Sequence, residues 1–214
     1  MKLDVISDTV CPWCYIGKKR LERALAESGR TDVEITWRPF RLDPTIPPEG
    51  VDRKAYIEKK FGPDRAKAAG ETIRETGAAD GIDFAFDEIE RSPNTIDSHR
   101  LIQWAGTAGV QDEVVSLLFK RYFEEGADIG NHDVLLGVAE EAGMDTALVR
   151  DLLASDADVK RVEYEDYQAR QMGITGVPCF LFEGKFAITG AQDVETLIRV
   201  FDRVEMKIRE EADG

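Results

Sequence analysis

Two of the three cysteines in this chain stand in the stretch SDTVCPWCYIGKKR, as Cys11-Pro12-Trp13-Cys14. Thiols at that spacing can form a disulfide, supply half of a tetrahedral metal site, or sit side by side as small buried hydrophobes. A cysteine just ahead of a helix lies where unpaired N–H groups and the helix dipole stabilise a thiolate. Cys11 fits that place, with KLDVIS behind it reading as a buried strand and Pro12 suited to a first helical turn. Cys14 falls one turn further in and is more shielded. On this reading Cys11 attacks or is attacked to give a mixed disulfide, Cys14 resolves it, and Pro12 and Trp13 shape an exposed lip around the pair. A metal site needs about four ligands. Cys179, His99 and His132 are the only further thiol and imidazoles, with no second C-x-x-C and no paired histidine motif, so no metal is expected.

A second chemical stretch is GITGVPCF. Pro178 cannot donate to a β-ladder, and an ordinary trans proline at a strand edge would satisfy that limit. A cis Val177–Pro178 bond would instead turn the Val177 backbone outward, leaving its N–H and C=O to pair with an extended thiol substrate lying across Cys11. Strand alternation sends Cys179 to the opposite face from Val177, as a small core residue, with a third redox thiol the alternative. Asp8, three residues before Cys11, reads as a turn cap or as a proton acceptor that modulates the thiolate. His99, alone on a helix, is a packing residue unless it faces the site, and His132 belongs to a helix start.

These residues must be held by something. The alternation of VEITWRPF marks a strand with Val33, Ile35 and Trp37 on one face, and Pro12 to Ser28 between it and KLDVIS reads as a helix stopped by Gly29. Strand, helix, strand predicts a parallel pair with a right-handed crossover. From the proline-rich RLDPTIPPEG to about Met172 the pattern is helical, in amphipathic segments with polar starts and glycine stops and no fixed repeat. GVPCFLFEG and KFAITG then read as a hairpin around Glu183-Gly184, and a last amphipathic helix follows with Asp193 placed to cap it. The expected fold class is α/β, a βαβ half and a ββα half packing around one sheet. Residues 1–45 and 173–214 make that domain and residues 46–172 an all-helical insertion.

The chain has 214 residues, 43% hydrophobic and 33% charged, which is enough for a real core. A net charge of -14 repels phosphate backbones and anionic lipid, so neither nucleic acid nor membrane is an expected partner. MKLDVISD has no apolar run of signal-peptide length, and three cysteines are too few for a disulfide scaffold; a cytoplasmic location is expected.

Taken together, SDTVCPWCYIGKKRLE, WRPFRLDPTIP, PNTIDSHRLIQWA (with Asn94 and His99) and GITGVPCFLFEGKFAITGAQ resemble the DsbA-like family of the thioredoxin fold over nearly the whole chain. That family includes FrnE-type oxidoreductases and 2-hydroxychromene-2-carboxylate isomerases. The resemblance implies a thioredoxin-like fold with a helical insertion, a cis proline at Pro178 facing Cys11, and thiol–disulfide exchange at Cys11 and Cys14. It also brings in the isomerase and kappa-class glutathione transferase branch, which typically carries serine where Cys11 stands and activates glutathione for work on a small molecule. There Gln192 and Asp193 would hold the glutamyl end of the tripeptide; otherwise they only cap a helix. The expectation is a protein thiol–disulfide oxidoreductase with no tightly bound cofactor and glutathione as a candidate co-substrate. Glutathione or a thioredoxin-type protein would recycle it, and its terminal helix offers a face for a homodimer.

Overall fold

The computed structural model describes residues 1–213. Its main sheet has four strands, β1 (Lys2–Ser7), β2 (Glu34–Pro39), β5 (Cys179–Phe182) and β6 (Phe186–Thr189), in the order β2-β1-β5-β6. The first two strands run parallel, joined by helix α1 (Pro12–Ser28), and the last two are antiparallel to their neighbours. Glu183 and Gly184 turn the hairpin with φ of 52° and 65°, the left-handed pair that matches strand twist.

Period-two alternation divides the sheet residues between two apolar layers. Leu3, Val5, Phe180 and Phe182 join the main core with Ile16, Leu197 and Phe201, whereas Ile6, Cys179 and Leu181 join a second cluster with Phe40, Ala169 and Ile174. The register places Leu3 opposite Phe182 and Ile6 opposite Cys179, so each layer continues across the strands. Helix α9 (Val194–Asp213) packs beside α1, and Asp193 caps it through the Thr196 N–H at 2.7 Å.

Between the halves come α2 (Arg53–Phe61), α3 (Pro63–Ala79), α4 (Ile96–Ala108), α5 (Gln111–Phe123), α6 (His132–Glu141), α7 (Thr146–Leu153) and α8 (Val159–Gln171). Helices α4, α5 and α8 pack on β2. Aromatic contacts carry the main core across from the sheet side: Tyr15 of α1 stacks on Phe119 of α5 at 5.1 Å, and Trp37 of β2 meets the same ring edge-on at 6.5 Å.

The helical stretch also contains a ladder of two-residue strands, β3 (Val51–Asp52) and β4 (Arg91–Ser92), too short to show as alternation. Helix α2 departs from its expected role. Its amphipathic pattern does not face the core, and none of its residues is buried.

Candidate active site

The end of β1 and the start of α1 form the site. The Asp8 carbonyl accepts from the Cys11 N–H at 3.0 Å and turns the chain into the helix, with Cys11 as N-cap and Pro12 in the first turn. Gly29 closes the other end in the left-handed conformation, φ 64°. The helix is thereby framed at both ends, and its first turn carries both cysteines.

Cys11 is 4% exposed and Cys14 1%. The expected exposed lip therefore holds only for its rim: Trp13 is 36% exposed, whereas the Cys11 thiol lies inside the wall of a cavity. Both cysteines are free thiols. Burial pushes the Cys14 thiol well above its ordinary range, and the hydrogen bond with and charge of Cys11 push the same way; the Ser7 hydroxyl and the Asp8 backbone oppose them. Ionising Cys14 in its buried position is thus costly.

The Val177–Pro178 peptide is cis. The Cys11 thiol donates to the Val177 carbonyl at 3.6 Å, the contact that joins the two chemical stretches. Gly190 N–H donates to the Pro178 carbonyl at 2.8 Å and ties the proline to the end of β6.

A cavity of about 670 Å³ opens over Cys11. Loop residue Leu42, α2 residues Tyr56 and Ile57, α3 residue Ile73, and Phe86 line it with Trp13. This is where the apolar side of α2 faces. A polar corner interrupts the wall: Lys60 donates to the Tyr56 hydroxyl at 2.6 Å, which donates to Asp43 at 2.8 Å. The volume falls in the range of small-molecule sites.

Asp8 is 1% exposed, and its side chain does not cap its own turn, one of its two expected roles. One carboxylate oxygen accepts from the Leu42 N–H at 2.7 Å, and the other lies 3.4 Å from Nε2 of His99, itself 2% exposed. The structure thus brings His99 to Asp8, from α4 to the end of β1. Asn94 binds the Ile46 carbonyl at 2.6 Å and the Ile96 N–H at 3.0 Å, pinning α4 to the loop beside the cavity. His132 opens α6 and bonds Asp97 at 2.9 Å. Gln192 donates to the Thr189 carbonyl at 2.6 Å, and neither it nor Asp193 lines the cavity. Cys179 is fully buried in the second cluster, and that burial raises its thiol pKa. Among the described residues no three histidine, cysteine, aspartate or glutamate side chains converge as a metal site.

Sequence reasoning missed the roof of the cavity. Its signal was present in Ala66, Ala69, Gly70 and Ile73, small residues and one larger one along one side of α3, but nothing in their spacing distinguishes a cavity wall from a core face.

A thioredoxin-type sheet with two thiols at the head of its first helix and a proline loop against them defines a class, and residues 2–201 match the DsbA-like thioredoxin domain. The chain belongs to that family. A probable DsbA oxidoreductase, SCO1869, from Streptomyces coelicolor has a similar structure, with a TM-score of 0.87 and 29% identity over 95% of this chain and 89% of that one. The uncharacterized protein YwbO of Bacillus subtilis is 29% identical, over 88% of this chain and 90% of its own length. The fold is shared with a cytosolic disulfide reductase, DsbM, from Pseudomonas aeruginosa, solved with glutathione, at a TM-score of 0.68 and 17% identity over 98% of this chain and 100% of that one.

Proposed function

We propose that the protein is a thiol–disulfide oxidoreductase whose working group is the Cys11–Cys14 pair. The observation that carries this reading is the placement of the Cys11 sulfur: at the N-cap of α1, in the wall of the large cavity, and 3.6 Å from the Val177 carbonyl, with Cys14 one turn behind. Cys11 attacks one sulfur of a disulfide and expels the other as a thiolate. Cys14 then attacks Cys11, releases the second thiol, and leaves an intramolecular disulfide. Trp13 and Pro12 flank the attacked sulfur, and the Val177 backbone aligns the substrate beside it. Gln192 and Asp193 lie outside the cavity wall, tied to the Thr189 carbonyl and to the start of α9, and have no part in this step.

Membership of the DsbA-like family supports the chemistry. No helix of the described residues is long and apolar enough to cross a membrane. We place the protein in the cytoplasm, where it would rest as a dithiol and reduce or isomerise disulfides, with glutathione or a thioredoxin-type protein recycling it. The substrate is a thiol or disulfide on a protein or a small molecule, with neither nucleic acid nor membrane as partner, and no tightly bound cofactor is needed. A glutathione-activating isomerase has no use for a second thiol behind the first, and Cys14 argues for exchange.

The test is a redox titration in glutathione buffers, quenched with acid and read by intact mass. A reversible loss of two protons that Cys11→Ser and Cys14→Ser both abolish supports the pair, and Cys14→Ser should then retain mixed disulfides on Cys11. Stable glutathione addition to Cys11 in the wild type, without ring closure, would overturn it.

A further inference from the structure

The cavity over Cys11 holds a charge that the exchange chemistry does not use. Arg53 lines it, half-buried, in the first turn of α2. A cation there stands at the wrong end of the helix dipole, and Asp52 caps the helix, so local structure gives no reason for it. The other cations of the wall are already partnered or lie in water. Arg74 donates to Asp87 at 2.7 Å, Lys60 bonds the Tyr56 hydroxyl with Asp43 3.8 Å away, and Lys67 is exposed. Among the described residues no carboxylate pairs with Arg53; Asp8, the buried acid of the same wall, turns to His99 and the Leu42 N–H instead.

The position of Arg53 is nonetheless fixed. Its guanidinium carbon lies 5.2 Å from the centroid of the Phe86 ring, and Nη1 donates to the Phe86 carbonyl at 3.4 Å. A guanidinium laid over a ring keeps N–H donors at its edge for an anion. Around it Trp13, Leu42, Ile57 and Ile73 supply apolar wall, and Cys11 opens into the same space. A guanidinium half withdrawn from water without a counter-ion is a cost that a bound anion relieves.

We propose that the substrate is a small apolar disulfide bearing a carboxylate, with its body against Trp13, Leu42 and Ile57, its carboxylate on the free edge of Arg53 and its sulfur at Cys11; this rests on the dithiol reading above. Guanidinium and carboxylate match as a two-point fork. A volume of about 670 Å³ suits an aryl or branched alkyl body. Cys11, 4% exposed, is reached from the cavity rather than across an open surface. Glutathione fits this wall less well. Its ammonium, its peptide groups and its second carboxylate would lie unpaired against apolar side chains, and Gln192 and Asp193 stand outside the cavity.

The exchange balances. Cys11, its proton given to water, attacks the sulfur of the half held by Arg53, and the other half leaves as a thiolate. Cys14, deprotonated in turn, attacks Cys11, and the held half leaves as a thiolate. The substrate disulfide gains the two electrons that the dithiol loses, and two protons end on the released thiols. Arg53 acts on the first attack, when the carboxylate-bearing half is set against Cys11. A net charge of -14 works against it: the protein as a whole repels an anionic substrate, so a preference for one has to arise locally.

The experiment compares 3,3′-dithiodibenzoic acid with its uncharged diamide in a single turnover of the fully reduced protein, following aryl thiol release by absorbance. Each rate is divided by that of the same disulfide with dithiothreitol, which removes intrinsic reactivity. Wild type should release two equivalents in two phases, the first from attack by Cys11 and the second from resolution by Cys14. The first phase should favour the acid by roughly tenfold or more. In Arg53→Met, which keeps a chain to lie on Phe86, the two rates should become equal through a loss on the acid alone, and Arg53→Lys should keep part of the preference. Equal normalised rates in wild type, a preference that survives in Arg53→Met, or a loss on both substrates together would overturn the assignment. If Arg53→Met does not fold, inhibition of the wild type decides: 2-naphthoate should slow the first phase with the diamide and 2-naphthamide should not, and equal inhibition would overturn it. Release of a single equivalent, with no Cys11–Cys14 disulfide by mass, would overturn the dithiol reading instead, while the first-phase ratio still decides the role of Arg53.

Discussion

The Cys11 thiol and the Val177 carbonyl oxygen, 166 residues apart in sequence, meet at 3.6 Å. The contact exists because β1 pairs with β5, which brings the chain just before β5 alongside the chain just after β1. A strand pairing thus assembles the site, and the two halves of the sheet must both be in place before the first thiol has its partner.

The cysteines should separate sharply in reactivity. Cys179 has no exposure, and burial raises its thiol pKa, whereas Cys11 borders the large cavity. Brief alkylation of the native reduced protein with iodoacetamide, mapped by peptide mass, should label Cys11 and leave Cys179 unmodified until denaturant is added. Equal labelling of the two would show that the second layer opens freely.

Alkaline pH should destabilise the protein through its buried acids. A thiol or phenol whose folded pKa lies above its unfolded value holds more protons folded than unfolded in the interval between them. Its contribution is intact below the unfolded pKa and is lost as pH rises toward the folded one. Cys14 is raised, so its share should begin to disappear above about pH 8.5, the ordinary thiol range. Tyr122 is pushed up to about 12, chiefly by burial, so its share should go between about pH 10 and 12. Urea midpoints measured against pH should fall through both windows, and Tyr122→Phe should flatten the upper one. A midpoint that stays level from pH 8 to 12 would contradict both assignments.

Gly17 faces the ring of Pro178. A methyl group there would meet Cγ of Pro178 at 3.0 Å and the Phe180 ring at 3.3 Å, tighter than ordinary packing. In an open helix, glycine to alanine stabilises by about 1 kcal/mol. At this position overpacking should reverse the sign, and Gly17→Ala should lose roughly 1–3 kcal/mol in urea titrations. It should also slow the first phase of disulfide exchange by moving the proline loop off Cys11. A more stable Gly17→Ala protein would mean that the helix and the loop can part without cost.

Much of this arrangement was legible in the residues. The first helix begins at Pro12 and stops at Gly29 because proline and glycine signal those ends locally, and the hairpin at Glu183-Gly184 does the same. The parallel pair β1–β2 and the β5–β6 hairpin follow from such local signals plus connection rules, whereas the antiparallel pairing of β1 with β5 is decided only by tertiary packing. What periodicity could not convey is which apolar face meets core and which meets empty space, and so α2 read like its neighbours although it lines the cavity. The Asp8–His99 contact was hidden for another reason. It joins a strand end to a helix 91 residues later, and only tertiary packing determines which side of α4 turns inward.

The cavity itself can be tested by filling it. Ala66, Ala69 and Gly70 on α3 border it with little or no side chain, and a Cβ on Gly70 would meet no other atom within 4 Å. A side chain added there has room to enter the cavity and no core contact to disturb, and it removes a helix glycine worth about 1 kcal/mol. Gly70→Leu should therefore be as stable as wild type or more so. It should still react with a disulfide as small as hydroxyethyl disulfide at close to the wild-type rate, because so small a substrate needs little of the 670 Å³. Bulky aromatic disulfides, which need the space beneath α2 and α3, should slow about tenfold, the scale of a lost apolar subsite. Paired rates on the two substrates separate this outcome from general damage. If both fall together, α3 moves with the cysteines; if neither falls, substrates reach Cys11 from the Trp13 side and the cavity is not their path.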